Sequence, residues 1–181
     1  HSHVAALTVP TCLSYDPAFA YELGVIIEDG IRRMYRDQEQ VFYYLTVMNE
    51  QYAMPAMPEG EGVREGILKG LYKVQPSTKK AEKNDKKKAG LQAQLLGSGA
   101  ILTEVLKAQQ ILEAQYDVAA DVWCVTSYTQ LYRDGQAVER WNMLHPAETP
   151  RVPYVTQCLG DAPGVFVAAS DYLKLMPNAI D

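Results

Sequence analysis

Leu91-Gln92-Ala93-Gln94-Leu95-Leu96-Gly97-Ser98-Gly99 opens the stretch on which the fold turns. Leu91–Leu96 reads as a strand and Gly97-Ser98-Gly99 as its turn. Ala100 to Tyr116 then follows helical spacing, with Ile101, Val105, Leu106, Ile111 and Leu112 on one face. Asp121 to Ser127 is the next strand, centred on Val122-Trp123-Cys124-Val125. Strand, crossover helix and strand within about 35 residues predict a parallel sheet with a right-handed crossover. Gly97-Ser98-Gly99 at a helix start has the makings of a phosphate cradle. It lacks the full GxGxxG spacing and the Walker lysine, so a tight turn is the plainer reading.

Upstream, Val41-Phe42-Tyr43-Tyr44-Leu45-Thr46-Val47-Met48 is apolar on both faces and is expected to be a strand buried on both sides. Asn49-Glu50 ends it, and Gln51 to Gly60 forms a loop that two prolines and a glycine keep out of helix and strand. Ligands of open α/β sheets sit beyond the carboxyl ends of the strands, so this loop is expected near any chemistry. Glu50 and Glu59 are its candidate acid or base groups.

Leu7 to Ser14 is short and β-prone. Asp16 and Pro17 read as N-cap and first residue of a helix to about Asp37. Arg32, Arg33 and Arg36 are taken as its solvated end. Val63 to Lys69 reads as a short helix and Gly70 to Val74 as extended. Residues 75–90 carry Lys79, Lys80, Lys83, Lys86, Lys87 and Lys88 with no apolar face, and read as an exposed linker. Thr129 to Leu144 reads as a helix and His145 to Pro153 as a stiff loop. Tyr154 to Leu159 is ambiguous, Gly164 to Ala169 a strand, and Ser170-Asp171 the cap of a final helix.

A net charge of −5 gives the chain as a whole no reason to seek nucleic acid. No apolar run reaches the roughly 20 residues of a membrane helix, and no signal-peptide pattern opens the chain. Cys12, Cys124 and Cys158 lack CxxC spacing and read as reduced, buried thiols of a cytosolic protein. The three histidines, His1, His3 and His145, do not make a metal signature. The chain starts at His1-Ser2-His3 and stops inside the expected final helix. Both ends read as cut, and exposed core surface is expected to associate with itself or with missing segments.

Three segments resemble the homodimeric type of pyruvate dehydrogenase, the thiamine-dependent decarboxylating component of the bacterial complex: Pro10 to Glu22 (PTCLSYDPAFAYE), Asn49 to Gly60 (NEQYAMPAMPEG) and Asp134 to Arg151 (DGQAVERWNMLHPAETPR). The resemblance implies an α/β, transketolase-like fold, with mostly parallel sheets flanked by helices and incomplete at both ends. It implies that residues 1–74 end a middle, pyrimidine-binding domain, that 75–90 is a Lys-rich linker, and that 91–181 open a C-terminal domain. It further implies oxidative decarboxylation of pyruvate, with the acetyl unit passed to lipoyl groups of a dihydrolipoyl acetyltransferase, in a cytoplasmic homodimer acting on neither nucleic acid nor membrane. The family's His-x-His element places His3 as catalytic and substrate-binding, orienting the substrate carboxylate or moving a proton, with His1 beside it as a second substrate-binding residue. Thiamine diphosphate and Mg2+ serve the full enzyme. The Gly-Asp-Gly…Asn motif that holds them and the cofactor-activating glutamate are absent from this chain, so it is expected to bind neither and to be inactive alone. Two alternatives are a non-catalytic dimerisation or docking domain of this fold, and a transketolase-family enzyme for another 2-keto substrate.

Overall fold

The computed structural model describes residues 2–79 and 91–180. The elements are α1 (Ser2–Leu7), β1 (Cys12–Tyr15), α2 (Ala20–Ile31), β2 (Phe42–Leu45), α3 (Val63–Lys69), β3 (Tyr72–Gln75), β4 (Gln92–Gly97), α4 (Leu102–Gln115), β5 (Ala119–Cys124), α5 (Tyr128–Leu144), α6 (Tyr154–Leu159) and β6 (Val165–Ala169). β1 and β2 form a parallel pair. The remaining strands form one sheet in the order β3-β5-β4-β6. β4 runs parallel to β5 and β6, and β3 is antiparallel to β5.

The unit that opens at Leu91 forms as its pattern requires. β4 is buried from Ala93 to Gly97, as a central parallel strand must be. Its polar Gln94 is accommodated because both ends of the amide are satisfied. Trp123 Nε1–H donates to its oxygen at 2.8 Å, and its nitrogen donates to the Pro163 carbonyl at 3.0 Å. A single turn at Gly99–Ile101 leads into α4, which carries the chain across to β5. Ser127 caps α5, its hydroxyl accepting from the Gln130 amide at 3.1 Å.

The two sheets share one core. Leu13, Tyr15, Phe19 and Ile26 from the first part pack in the same cluster as Ile67, Leu95, Leu102 and Val122. Polar bonds tie the parts together at several points. The Asp16 amide donates to the Thr126 carbonyl at 2.7 Å, and the Ser127 hydroxyl donates to the Ser14 carbonyl at 2.6 Å. From α5, Arg133 reaches the carbonyls of Cys12 at 2.7 Å and Val9 at 2.8 Å. α3 ends at Gly70, whose φ of 105° is open to glycine; a Cβ there would lie 2.4 Å from the Ser127 carbonyl oxygen.

Several expectations are corrected. The strand expected over 41–48 spans only Phe42–Leu45 and is half exposed, because among the described residues β1 is its one strand partner. Its aromatic content mimics a central strand while Phe42 and Tyr44 face outward. Residues 2–7 are helical, so the segment expected to be extended from Leu7 becomes a strand only at Cys12. α2 starts at Ala20 rather than at Pro17, because Asp16 is engaged elsewhere and Glu22 supplies the acceptor for the amides of Ala18 and Phe19 at 2.5 and 3.0 Å. Tyr154–Leu159 is a helix. No α-helix follows Ser170 among the described residues; a short 3-10 turn at Pro177–Ile180 takes its place. Cys12 and Cys124 are buried as expected, but Cys158 is only half-buried.

Candidate functional site

The register of the first sheet creates the site. Tyr15 pairs with Leu45, so Asp16 and Thr46, the next residue of each strand, stand side by side at the carboxyl ends of β1 and β2. Gly99 follows the end of β4, and Asp171 and Tyr172 follow the end of β6. These four strand ends surround a cavity of about 400 Å3 lined by Asp16, Tyr44, Thr46, Gly99, Asp171 and Tyr172. It occupies the position that ligands take in open parallel sheets, outside the carboxyl ends of the strands.

The Thr46 hydroxyl is the hub. Its oxygen lies 2.6 Å from Asp16 Oδ1, 2.9 Å from the Tyr172 hydroxyl and 3.0 Å from His3 Nε2. His3 is 3% exposed and lies behind the cavity wall that Thr46, Tyr44 and Tyr172 form. Its ring meets Tyr44 and Tyr172 edge-on, at centroid distances of 5.4 and 4.8 Å. Burial lowers the His3 pKa below its ordinary 6.5, and the Asp16 carboxylate partly opposes that by attracting the imidazolium. Neutral imidazole is therefore the resting form near pH 7.

A lowered histidine pKa has a definite sign in stability. The unfolded chain takes up the proton first as pH falls. The stability that neutral His3 contributes is thus complete above about 6.5 and is lost as pH falls below it toward the folded-state pKa. His3→Gln is expected to flatten the fall in Tm between about pH 7.5 and about pH 5. Parallel melting series on both proteins check this; identical slopes would contradict it.

Asp16 also fills the turn that had the makings of a phosphate cradle. Gly99 has φ 52°, and a Cβ built on it would lie 2.7 Å from Asp16 Oδ2 and 2.9 Å from Oδ1. The Gly99 amide donates to the Asp16 carbonyl at 3.1 Å. The chain's own carboxylate therefore occupies the ground a diphosphate would need. The turn before α4 thus does not fit a diphosphate. Among the described residues no three His, Cys, Asp or Glu side chains converge as a metal site requires.

Of the candidate site residues expected from the sequence, His3 is the one that the structure brings into a cluster. His1 lies outside the described residues, as does the lysine tract beyond Lys79, which pairs with Asp117. Glu50 and Glu59 stay exposed, and neither joins the groups around Thr46. Tyr52 anchors their loop by donating to the Ala18 carbonyl at 2.5 Å. Arg32, Arg33 and Arg36 are paired with Asp29, Asp37 and Glu39, a solvated helix end. Burial raises the pKa of all three cysteines, so none supplies a ready thiolate. Sequence reasoning missed Thr46, Tyr172 and the true place of Asp16. The available signal was their position: each stands at or just beyond a strand's carboxyl end. No helix among the described residues is long and apolar enough to cross a membrane.

Comparison with known proteins bears on this arrangement. Residues 1–55 match the family described as the pyruvate dehydrogenase E1 component middle domain, and residues 70–180 match the transketolase-like TK C-terminal domain. The chain is 54% identical over 181 residues to the pyruvate dehydrogenase E1 component of Escherichia coli K12, covering 99% of this chain and 19% of the relative. It is 49% identical over 180 residues to that of Pseudomonas aeruginosa, again 99% of this chain and 19% of the relative. The Haemophilus influenzae protein of the same description is 50% identical over 175 residues, 96% of this chain and 18% of the relative. The chain thus spans about a fifth of the length of the curated relatives it matches.

Proposed function

Given that this chain belongs to the transketolase-like C-terminal-domain family and follows pyruvate dehydrogenase E1 components along nearly its whole length, we propose that it forms one wall of the active site of such an enzyme. The proposed reaction is oxidative decarboxylation of pyruvate, with transfer of the acetyl unit to lipoyl groups of an acetyltransferase. The full-length protein would work as a cytoplasmic homodimer within the multienzyme complex. The observation that carries the reading is the seam itself: ends of parallel strands from both matched segments converge on one cavity, and the buried, neutral His3 lies directly behind its wall, bonded to Thr46 and packed on Tyr44 and Tyr172.

Thiamine diphosphate, with Mg2+, supplies the electron sink for the decarboxylation and is held in this reading by parts of the full-length protein outside this chain. This chain's own residues do two things. His3, neutral at rest, is proposed to orient the substrate carboxylate or to move a proton at Nδ1, the nitrogen not bonded to Thr46. Tyr44 and Tyr172 wall the cavity beside it. The division into a middle-domain end and a C-terminal-domain beginning belongs to the same proposal. β3 pairs with β5 and the second family match begins at residue 70, which supports a seam where α3 ends rather than after residue 74.

The test is carbon dioxide release from pyruvate, and acetylation of a lipoyl acceptor, by the full-length protein with thiamine diphosphate and Mg2+. Both activities are expected, with pyruvate preferred over larger 2-oxo acids. The 181-residue chain alone is expected to show neither. Turnover by the isolated chain, or none by the full-length protein, would overturn the reading.

A further inference from the structure

We infer that Thr46, held by Asp16, is the positioning residue that fixes which nitrogen of His3 is free to act; the inference rests on the role of His3 proposed above. A threonine hydroxyl has one proton to give and two lone pairs to offer. Four groups surround that of Thr46: Asp16 Oδ1 at 2.6 Å, Tyr172 Oη at 2.9 Å, His3 Nε2 at 3.0 Å and the Tyr15 carbonyl at 3.3 Å. The proton goes to the carboxylate, because a charge-assisted bond at that length outweighs a neutral carbonyl at the longer one. The two lone pairs then accept from Tyr172 O–H and from His3 Nε2–H. His3 is thereby held as the Nε2–H tautomer, and Nδ1 keeps its lone pair. When a proton arrives on Nδ1 the Nε2–H bond to Thr46 is retained, and the Asp16 charge stands one hydroxyl away from the new imidazolium. Asp16 and Thr46 give up no proton in this scheme.

The register explains why the device sits here. β1 and β2 run parallel with Tyr15 opposite Leu45, so the residues that follow are neighbours without any loop having to place them. Asp16 is further pinned by its backbone, which bonds to Thr126 and Gly99, and by the lack of room between its carboxylate and Gly99.

The test reads the imidazole directly. In 15N-histidine-labelled protein, the His3 ring signals are assigned by their loss in His3→Gln. The wild type is expected to show a single tautomer with an Nε2–H protected from solvent exchange. Thr46→Val should lose that protection and give tautomer-averaged ring nitrogens, while Thr46→Ser should restore the wild-type pattern. Asp16→Asn should move the His3 titration to lower pH, since the charge that favours imidazolium is gone. In the full-length protein Thr46→Val should lower kcat about 10²-fold with KM little changed, the order of effect expected when a reacting group loses its alignment, and Thr46→Ser should recover most of it. Unchanged His3 ring signals in Thr46→Val, or a serine variant that folds and restores nothing, would overturn the inference. Should the valine variant unfold, Asp16→Asn decides: a titration that does not move overturns it. A tautomer pattern as expected together with wild-type turnover by His3→Gln would instead sink the proposed role of His3.

Discussion

His3→Gln in the full-length protein is expected to lower kcat for pyruvate by about 10²- to 10⁴-fold, the span that a positioned acid–base group contributes. Glutamine is the informative replacement. Its side-chain amide N–H can reproduce the bond that His3 Nε2–H makes to Thr46, and it is of similar length, so the hub survives. What it cannot reproduce is a basic nitrogen at the Nδ1 position, with a pKa that burial keeps below 6.5. The loss should therefore appear in kcat more than in folding. It should also remove the acidic limb of the pH–rate profile, which in this account reports protonation of His3. A His3→Gln enzyme with wild-type kcat and an unchanged profile would place the chemistry elsewhere.

Glu22→Ala should produce the largest loss of stability, about 4 kcal/mol, at the upper end of what single substitutions cost. Glu22 is fully buried. One carboxyl oxygen accepts from the amides of Ala18 and Phe19, and the other accepts from the Tyr72 hydroxyl, which also pairs with Tyr21 at 2.6 Å. Burial raises the pKa of this carboxyl, and the bonds from Tyr72 and the Phe19 amide offset part of that. Removing it strands two backbone donors at the start of α2 and leaves a cavity between α2 and β3. A buried donor without an acceptor costs about 1–3 kcal/mol, so the two amides alone account for most of the figure. Glu22→Gln keeps the volume and one acceptor, and should cost about 1 kcal/mol. Denaturation midpoints of the two variants separate the cases; an alanine variant as stable as the glutamine one would contradict this account of the buried network.

What could be read from the sequence divides by the range of the forces involved. The β4-α4-β5 unit was legible because a buried strand, a tight turn and a helical stripe are each local patterns, and they agreed. The α3 helix was legible for the same reason, with Gly70 marking its end. The site was not legible from the residues alone. The partners of Thr46 come from 30, 43 and 126 positions away, and no local pattern announces them. Asp16-Pro17 satisfies the local rule for starting a helix, but that rule lost to the tertiary bonds of Asp16 with Thr46 and its tight seat on Gly99. β2 misled for a related reason. Val41 to Met48 is as apolar as a central strand, yet among the described residues only β1 pairs with it, so burial did not follow from composition. His3 was reached through family resemblance. The chemistry of its surroundings emerged only when the strand ends met.

The most direct test of the central claim is the structure of the full-length protein with thiamine diphosphate and a pyruvate analogue that cannot lose its carboxyl group. The account predicts the analogue in the seam cavity at the ends of β1, β2, β4 and β6, with its acidic group accepting from His3 Nδ1, protonated on binding, at about 3 Å. An analogue bound in the active site but touching none of His3, Thr46 or Tyr172 would contradict it.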